Sequence, residues 1–409
     1  MPVVDRVTVV PGEGRPAVED ATVVVDDAGI VTDIRPGGEP ATSATRTLVP
    51  AAVDLHLDNL RERRRPRATV TLDIPTVVAA LDAECAAAGI GLVCIAARCE
   101  DAPAKGVVLD DAVRLAEAVE RMGPGLACDW RLHVRVEVTD PGATEALERI
   151  LHSSSRVALV SVMEHSAHRH RFPSPEEHRR FYAEDWGMAE HELDALLDGK
   201  GASRTDVDAR RRVAARLAAE AGVVLASHDD RSPADVDEAA ELGATVAEFP
   251  LTVAAARRAR ELGMRIVLGA PNAVRGRSTS SGNLLAAEAA ALGLCDVLCS
   301  DYLPSALQAA PPALSAAGVL PLAAAVDLVS TAPAAALGLA APRIAVGAPL
   351  DAALRATVGG APTGLALWRR GHLVWSRSET SPSWPPSATA PPPAVRAGPV
   401  RSRPTEVVP

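Results

Sequence analysis

AAVDLHLD, residues 51–58, is apolar for most of its length and then ends on His56 and Asp58. So short and continuous an apolar run suits a strand buried on both faces, as a parallel sheet covered by helices requires. Seven further runs repeat the pattern: GIGLVCIAA (89–97), WRLHVRVEV (130–138), VALVSVMEH (157–165), GVVLASHDD (222–230), ATVAEFP (244–250), MRIVLGAP (264–271) and CDVLCSDYLP (295–304). Alanine-rich stretches of helical composition separate them. Eight strand–helix units in alternation predict an α/β fold, a (β/α)8 TIM-like barrel.

Outside the barrel the texture changes. VDRVTVV (4–10), PGEGRP (11–16) and ATVVVDDAGIVTDIRPGG (21–38) alternate valines with Gly and Asp breaks, and RIAVGAPLDAAL (343–354) and GLALWRRGHLVWS (364–376) return to that pattern. These read as two halves of one small β-sandwich. The expected organisation is a β-sandwich from residues 1–48 plus 340–376, a hydrolase barrel over 49–339, and a Pro/Ser-rich tail over 377–409 with no apolar period to order it.

Composition agrees with a large α/β core. Of the 409 residues 48% are hydrophobic but only 2% aromatic, so the core must be built from Ala, Val and Leu. The net charge of −10 argues against a general nucleic-acid binder, and an anionic small molecule would need a local cluster of arginines. The six cysteines show no CxxC spacing and fall mostly in apolar runs, which predicts buried free thiols in a reducing cytoplasm. Met1 is not followed by a charged and then an apolar segment, so no signal peptide is expected, and no uncharged apolar stretch reaches membrane-span length.

Polar residues gather at the C-terminal ends of the apolar runs: His56 and Asp58, Glu137, His165, His228 and Asp301. In a barrel these ends meet at one rim, where the chemistry sits. Imidazoles and carboxylates are the ligands of Zn2+, Mn2+ and related divalent ions. His56 and Asp58 stand two apart and share one face of their strand. Taken singly each has a plainer explanation, a hydrogen-bonded histidine or a capping carboxylate; six at the same end of alternating strands favour a metal site.

His56-x-Asp58, two later histidines and Asp301 on the last strand resemble the amidohydrolase superfamily, which usually carries His-x-His on its first strand. Its bridging carboxylated lysine has no counterpart among the strand ends, since the only lysines, Lys105 and Lys200, stand in loop-like segments. Glu137 is the natural substitute bridge. Longer strings resemble one branch, the α-D-ribose 1-methylphosphonate 5-triphosphate diphosphatases of the carbon–phosphorus lyase pathway. They are VDLHLDNL (53–60), LHVRVEV (132–138), SVMEHSAHRHRF (161–172), ASHDD (226–230), AEFPLT (247–252), GAPNAVRGRSTSSGN (269–283) and CSDYLPSAL (299–307).

The resemblance implies hydrolysis of that triphosphate to the 5-phosphate and diphosphate, in phosphonate catabolism. It implies a divalent cofactor, two ions rather than one, with Zn2+ or Mn2+ ahead of Mg2+ or Fe2+. The ligands would be His56, Asp58, Glu137, His165, His228 and Asp301. Asp301 would orient the attacking water and accept its proton. Arg135, Arg169 and Arg275 become candidate phosphate clamps, with Asn272, Ser281, Asn283 and Tyr302 as further substrate contacts. The implied partners are a small phosphorylated sugar and the carbon–phosphorus lyase system, with a homodimer by superfamily habit and neither nucleic acid nor membrane.

Three positions depart from the branch. Arg61-Glu62-Arg63 follows Asp-Asn-Leu in place of Glu and then Arg-His. Leu57 replaces a Thr. The turn usually written Ser-His-Ser-Gly-Asn reads Thr279-Ser280-Ser281-Gly282-Asn283, without its histidine. The run Arg61–Arg65 is either an anion-selecting entrance or an exposed charged loop. Two other functions fit a metal barrel: an amidohydrolase cleaving a cyclic amide or N-acyl compound, and a weakened paralogue serving as a binding subunit. The arginines and the Pro271-Asn272…Arg275-Gly276 turn favour a polyanion over a small neutral amide.

Overall fold

The computed structural model describes residues 3–37 and 46–377, apart from 68, 103–105, 279–281 and scattered positions between 167 and 201. Strands β1 (Val3–Val9), β2 (Val18–Val25), β3 (Val31–Arg35) and β4 (Arg46–Pro50) come first. After the barrel come β13 (Ala352–Val358), β14 (Ala361–Arg369) and β15 (His372–Ser376). The two groups form one seven-stranded sheet, ordered β15-β14-β13-β4-β1-β2-β3. Its central seam is the antiparallel pairing of β4 with β13, Pro50 opposite Ala352 and Leu48 opposite Leu354. Val7, Val9, Val23, Val31, Leu48, Ile344 and Leu354 give this sheet a core of its own. Gly364 of β14 meets the carbonyl of Ala87, at the end of the barrel helix Ile74–Ala87, so closely that a Cβ there has no room.

Between them run β5 (Ala52–Leu57), β6 (Ile90–Cys99), β7 (Asp129–Glu137), β8 (Val157–Met163), β9 (Val224–His228), β10 (Val246–Glu248), β11 (Arg265–Gly269) and β12 (Val297–Cys299). Each of the eight expected runs holds one strand. All are parallel and paired in chain order. The last returns to the first, because Asp301 N–H donates to the His56 carbonyl at 2.8 Å and Asp58 N–H donates to the Asp301 carbonyl at 2.5 Å.

The interior shows in a cluster drawn from six strands: Leu55, Leu159, Ala226, Val246, Val267 and Val297. Residues so dispersed in sequence can meet only inside the barrel. Ala332 and Ala336, from the helix Thr331–Ala336, pack against this cluster. A larger core lies between strands and helices, with Trp130 fully buried and its indole N–H bonded to Asp82 at 2.9 Å. The helices start and stop on local chemistry. Ser232 and Asp235 form a capping box on Pro233–Glu241, and Gly243, at φ 90°, turns the chain into β10.

All six cysteines are buried and unpaired, as expected. Among the described residues no helix is long and apolar enough to cross a membrane. The tail beyond Arg377, Lys105, Lys200, His168, His170 and Ser281 lie outside the described residues.

Candidate functional site

The first ligand candidates stand where β5 ends. His56 is 1% exposed, and its Nδ1–H donates to Glu248 Oε1 at 2.7 Å. His228, at the end of β9, donates its Nδ1–H to the other oxygen of the same carboxylate, also at 2.7 Å. One glutamate on β10 thus orients both imidazoles, a carboxylate–histidine arrangement that leaves both Nε2 atoms for a ligand. The rings lie 6.1 Å apart at 14°, with Phe249 set edge-on at 5.1 Å from His56 and 5.5 Å from His228.

A second carboxylate–histidine pair lies on β7 and the segment after β8. His165 Nδ1–H donates to Glu137 Oε2 at 2.6 Å, while Thr139 Oγ–H donates to Glu137 Oε1 at 2.7 Å. His165 lies 6.4 Å from His228, ring to ring. The expected bridging glutamate therefore holds a histidine in this structure, as Glu248 holds His56 and His228.

Burial dominates the electrostatics. It lowers His56 to about 4 and His133 to about 3, and it holds His228 well below the ordinary imidazole value, with Arg135 adding to the effect at His56 and His228. Neutral imidazoles carry the lone pair a metal needs. Burial also lifts Glu248 to about 7, against the pull of His133 and Arg135. Asp58 is held below the usual carboxylate range although burial opposes this, because Arg135 and then Arg98 face it.

Among the described residues one cluster of three suits a divalent ion, and two donor pairs lie near it at the rim. His56, His133 and Glu248 offer atoms that all lie within 4.8 Å of one another, and His133 Nδ1 is buried without a hydrogen bond. At the rim, His56 Nε2 lies 4.0 Å from Asp58 Oδ2 and His228 Nε2 lies 3.9 Å from Asp229 Oδ2. Bonds of about 2.0–2.2 Å to one ion can span such gaps. Arg135 already places a cation among the rim donors: Nη1 donates to Asp58 Oδ2, and Nη2 lies 2.7 Å from His228 Nε2.

Three strands end in left-handed backbone at residues other than glycine: Asp229 (φ 56°), Phe249 (φ 53°) and Asp301 (φ 55°). Each sends its N–H to the neighbouring strand, to the carbonyls of Glu248, Val267 and His56. Such strain persists where surrounding bonds enforce it, and it clusters at functional sites.

The rim opens into a cavity of about 170 Å3. Asp58, Arg135, His228, Asp301, Asn272, Arg275, Asn283 and Tyr302, all expected, line it; Arg98, Asp229, Arg277 and Ser278 were not expected and line it too. His56, Glu137 and His165 are not part of this lining. Arg169, expected as a phosphate clamp, lies elsewhere. It is absent from the lining and ion-paired with Glu238, with Asp235 at 3.4 Å and with Asp230 at 3.7 Å, so its charge is neutralised within the protein. Arg61, Arg63 and Arg64 are likewise held, by Glu62, Glu84 and Asp111, and do not reach this cavity.

Glu248 and His133 were missed although both stand inside the quoted runs. The signal for His133 was period-two alternation, since His133, Arg135 and Glu137 share one face of β7.

No family model matches the chain. It is 35% identical over 265 residues to the α-D-ribose 1-methylphosphonate 5-triphosphate diphosphatase of Escherichia coli (strain K12), covering 64% of this chain and 69% of that protein. Among solved structures it resembles 5-methylcytosine deaminase from Klebsiella pneumoniae, with TM-score 0.59 and 14% identity over 92% of this chain and 98% of the other. It also resembles N-acetyl-D-glucosamine-6-phosphate deacetylase from Mycobacterium smegmatis, with TM-score 0.57 and 16% identity over 92% and 100%. These two share the barrel fold. By its likeness to the Escherichia coli enzyme, the chain belongs to the α-D-ribose 1-methylphosphonate 5-triphosphate diphosphatase family.

Proposed function

We propose that this protein hydrolyses α-D-ribose 1-methylphosphonate 5-triphosphate to the 5-phosphate and diphosphate, using a divalent ion, in phosphonate catabolism. The observation that carries the reading is the meeting of two chemistries in one cavity. His228, neutral and oriented by Glu248, lines it beside Asp58 and Asp301, and Arg98, Arg135, Arg275 and Arg277 line it too, in a chain of net charge −10.

A divalent ion bound by His56, Asp58 and His228 would supply Lewis acidity at a phosphoryl oxygen and acidify water. The residues supply the rest. Glu248 fixes the tautomer and direction of His56 and His228. Arg135 offers a planar, permanently charged donor to the oxygens that gain charge as the phosphorus is attacked. Asp301, held by backbone bonds to His56 and Asp58, presents its carboxylate to the cavity as the base that takes the proton of water.

The test is a substrate panel with metal-reconstituted enzyme: the phosphonate triphosphate, a plain nucleoside triphosphate and a dihydroorotate-type cyclic amide. The expected result is a kcat/KM for the phosphonate triphosphate far above both others. Turnover of the amide alone would move the function to the amide-cleaving branch of the superfamily.

A further inference from the structure

We infer that Arg275 and Arg277 form the subsite that receives the leaving diphosphate; this rests on the function proposed above and assigns which part of the substrate lies on which wall. The four cavity arginines are of two kinds. Arg98 is paired with the buried Glu100 at 2.7 Å, and Arg135 with Asp58. These two set the local field at the rim without leaving a full unit of positive charge for a ligand.

Arg275 and Arg277 differ. Among the described residues neither has a carboxylate within ion-pair distance, and both are exposed. Arg275 Nη1 is bonded instead to a neutral group, the Tyr302 hydroxyl, at 3.2 Å. Most other arginines near this end of the barrel have acidic partners: Arg61 with Glu62, Arg63 with Glu84, Arg64 with Asp111, and Arg169 with Glu238. Two cations without counter-ions on one cavity wall form a receptor for an anion brought by the ligand.

Their position gives the orientation. Arg275 ends the helix Ala270–Arg275, Gly276 reverses the chain at φ 65°, and Arg277 follows on the same cavity lining. Tyr302 ties Arg275 to the segment that carries Asp301. A phosphorus attacked between Asp301 and the His228–Asp58 donors therefore has this wall beside it. When the phosphorus–oxygen bond to the diphosphate breaks, its electron pair and negative charge pass to the diphosphate oxygen. That fragment is the more densely charged product, and guanidinium forks match its oxygens bidentately. Because Arg275 and Arg277 are already solvated, the anion replaces water on them without leaving a buried charge behind.

The test is calorimetric titration of the metal-reconstituted protein with inorganic diphosphate and, separately, with orthophosphate. Wild type is compared with Arg275→Ala, Arg277→Ala, the double variant and Arg277→Lys. Arg258→Ala, at a surface pair with Asp237, serves as a charge control. Each alanine variant should weaken diphosphate binding by about tenfold or more, with a smaller effect on orthophosphate. Arg277→Lys should restore part of the loss, and Arg258→Ala should match wild type. Diphosphate affinity within twofold of wild type in the folded double variant, or no diphosphate binding to wild type, would overturn the assignment. Arginine-dependent diphosphate binding in a protein that turns over no triphosphate would uphold the subsite and reject the function. Turnover with unchanged diphosphate binding would do the reverse.

Discussion

Glu248 accepts the Nδ1–H of His56 at 2.7 Å, and its second oxygen is taken by His228, so the aim of both imidazoles depends on one buried carboxylate. Glu248→Gln keeps the shape but offers one imidazole N–H an amide N–H in place of an acceptor. We expect metal affinity to fall by about 10–100-fold with the fold retained. Metal retention against a graded chelator, beside a circular dichroism spectrum, checks this; unchanged retention would show that Glu248 does not aim the ligands.

Asp301 sits at the seam where β12 meets β5, its backbone bonded to His56 and Asp58. Asp301→Asn preserves those backbone bonds and removes the base. Turnover should drop by about 10²–10⁴-fold while metal content and melting temperature stay near wild type. Loss of metal along with turnover would make Asp301 a ligand first and a base second.

Barrel closure has its own lock. Asp54, fully buried, accepts Ser300 N–H at 3.0 Å, Ser300 Oγ–H at 2.5 Å and His56 N–H at 3.2 Å. Ser300→Ala removes one bond from a carboxylate that water cannot reach. The expected cost is about 1–3 kcal/mol of stability, read as a lower denaturant midpoint at constant slope.

Asp351 provides a pH test away from the ligands. Burial lifts it to about 6, against the pull of Arg369 and Arg370. Below about pH 4 both folded and unfolded states are protonated at this position. From there to about 6 the folded state binds more proton, so stability falls as pH rises and stays lower above that window. Asp351→Asn should therefore gain about 1–2 kcal/mol over wild type near neutral pH, and the gain should shrink in acid. Denaturant midpoints at the two pH values test this; a pH-independent difference would contradict it.

The barrel was legible because burial on both faces writes each strand as an apolar run, and each of the eight runs holds one strand. The small sheet was legible from its valine alternation, although its joining through β4 and β13 is a long-range pairing that local pattern does not encode. At the site, residues at strand ends could be picked out because a polar residue there interrupts an apolar run. Glu248 and His133 were harder: their hydrogen-bond partners lie far away in sequence, His56 and His228 for the glutamate and Ser161 for His133 Nε2. Arg169 illustrates another limit of local pattern. In sequence it matched a motif, but whether an arginine is available to a ligand depends on which carboxylates fold against it, here Glu238, Asp235 and Asp230.

The central claim concerns which bond is cut. Phosphorus NMR of a complete turnover of α-D-ribose 1-methylphosphonate 5-triphosphate by the metal-reconstituted protein reads it directly. The account predicts equal amounts of diphosphate and of the ribosyl 5-phosphate, with the methylphosphonate signal preserved. Orthophosphate released stepwise, or an untouched triphosphate beside active metal-loaded protein, would contradict it.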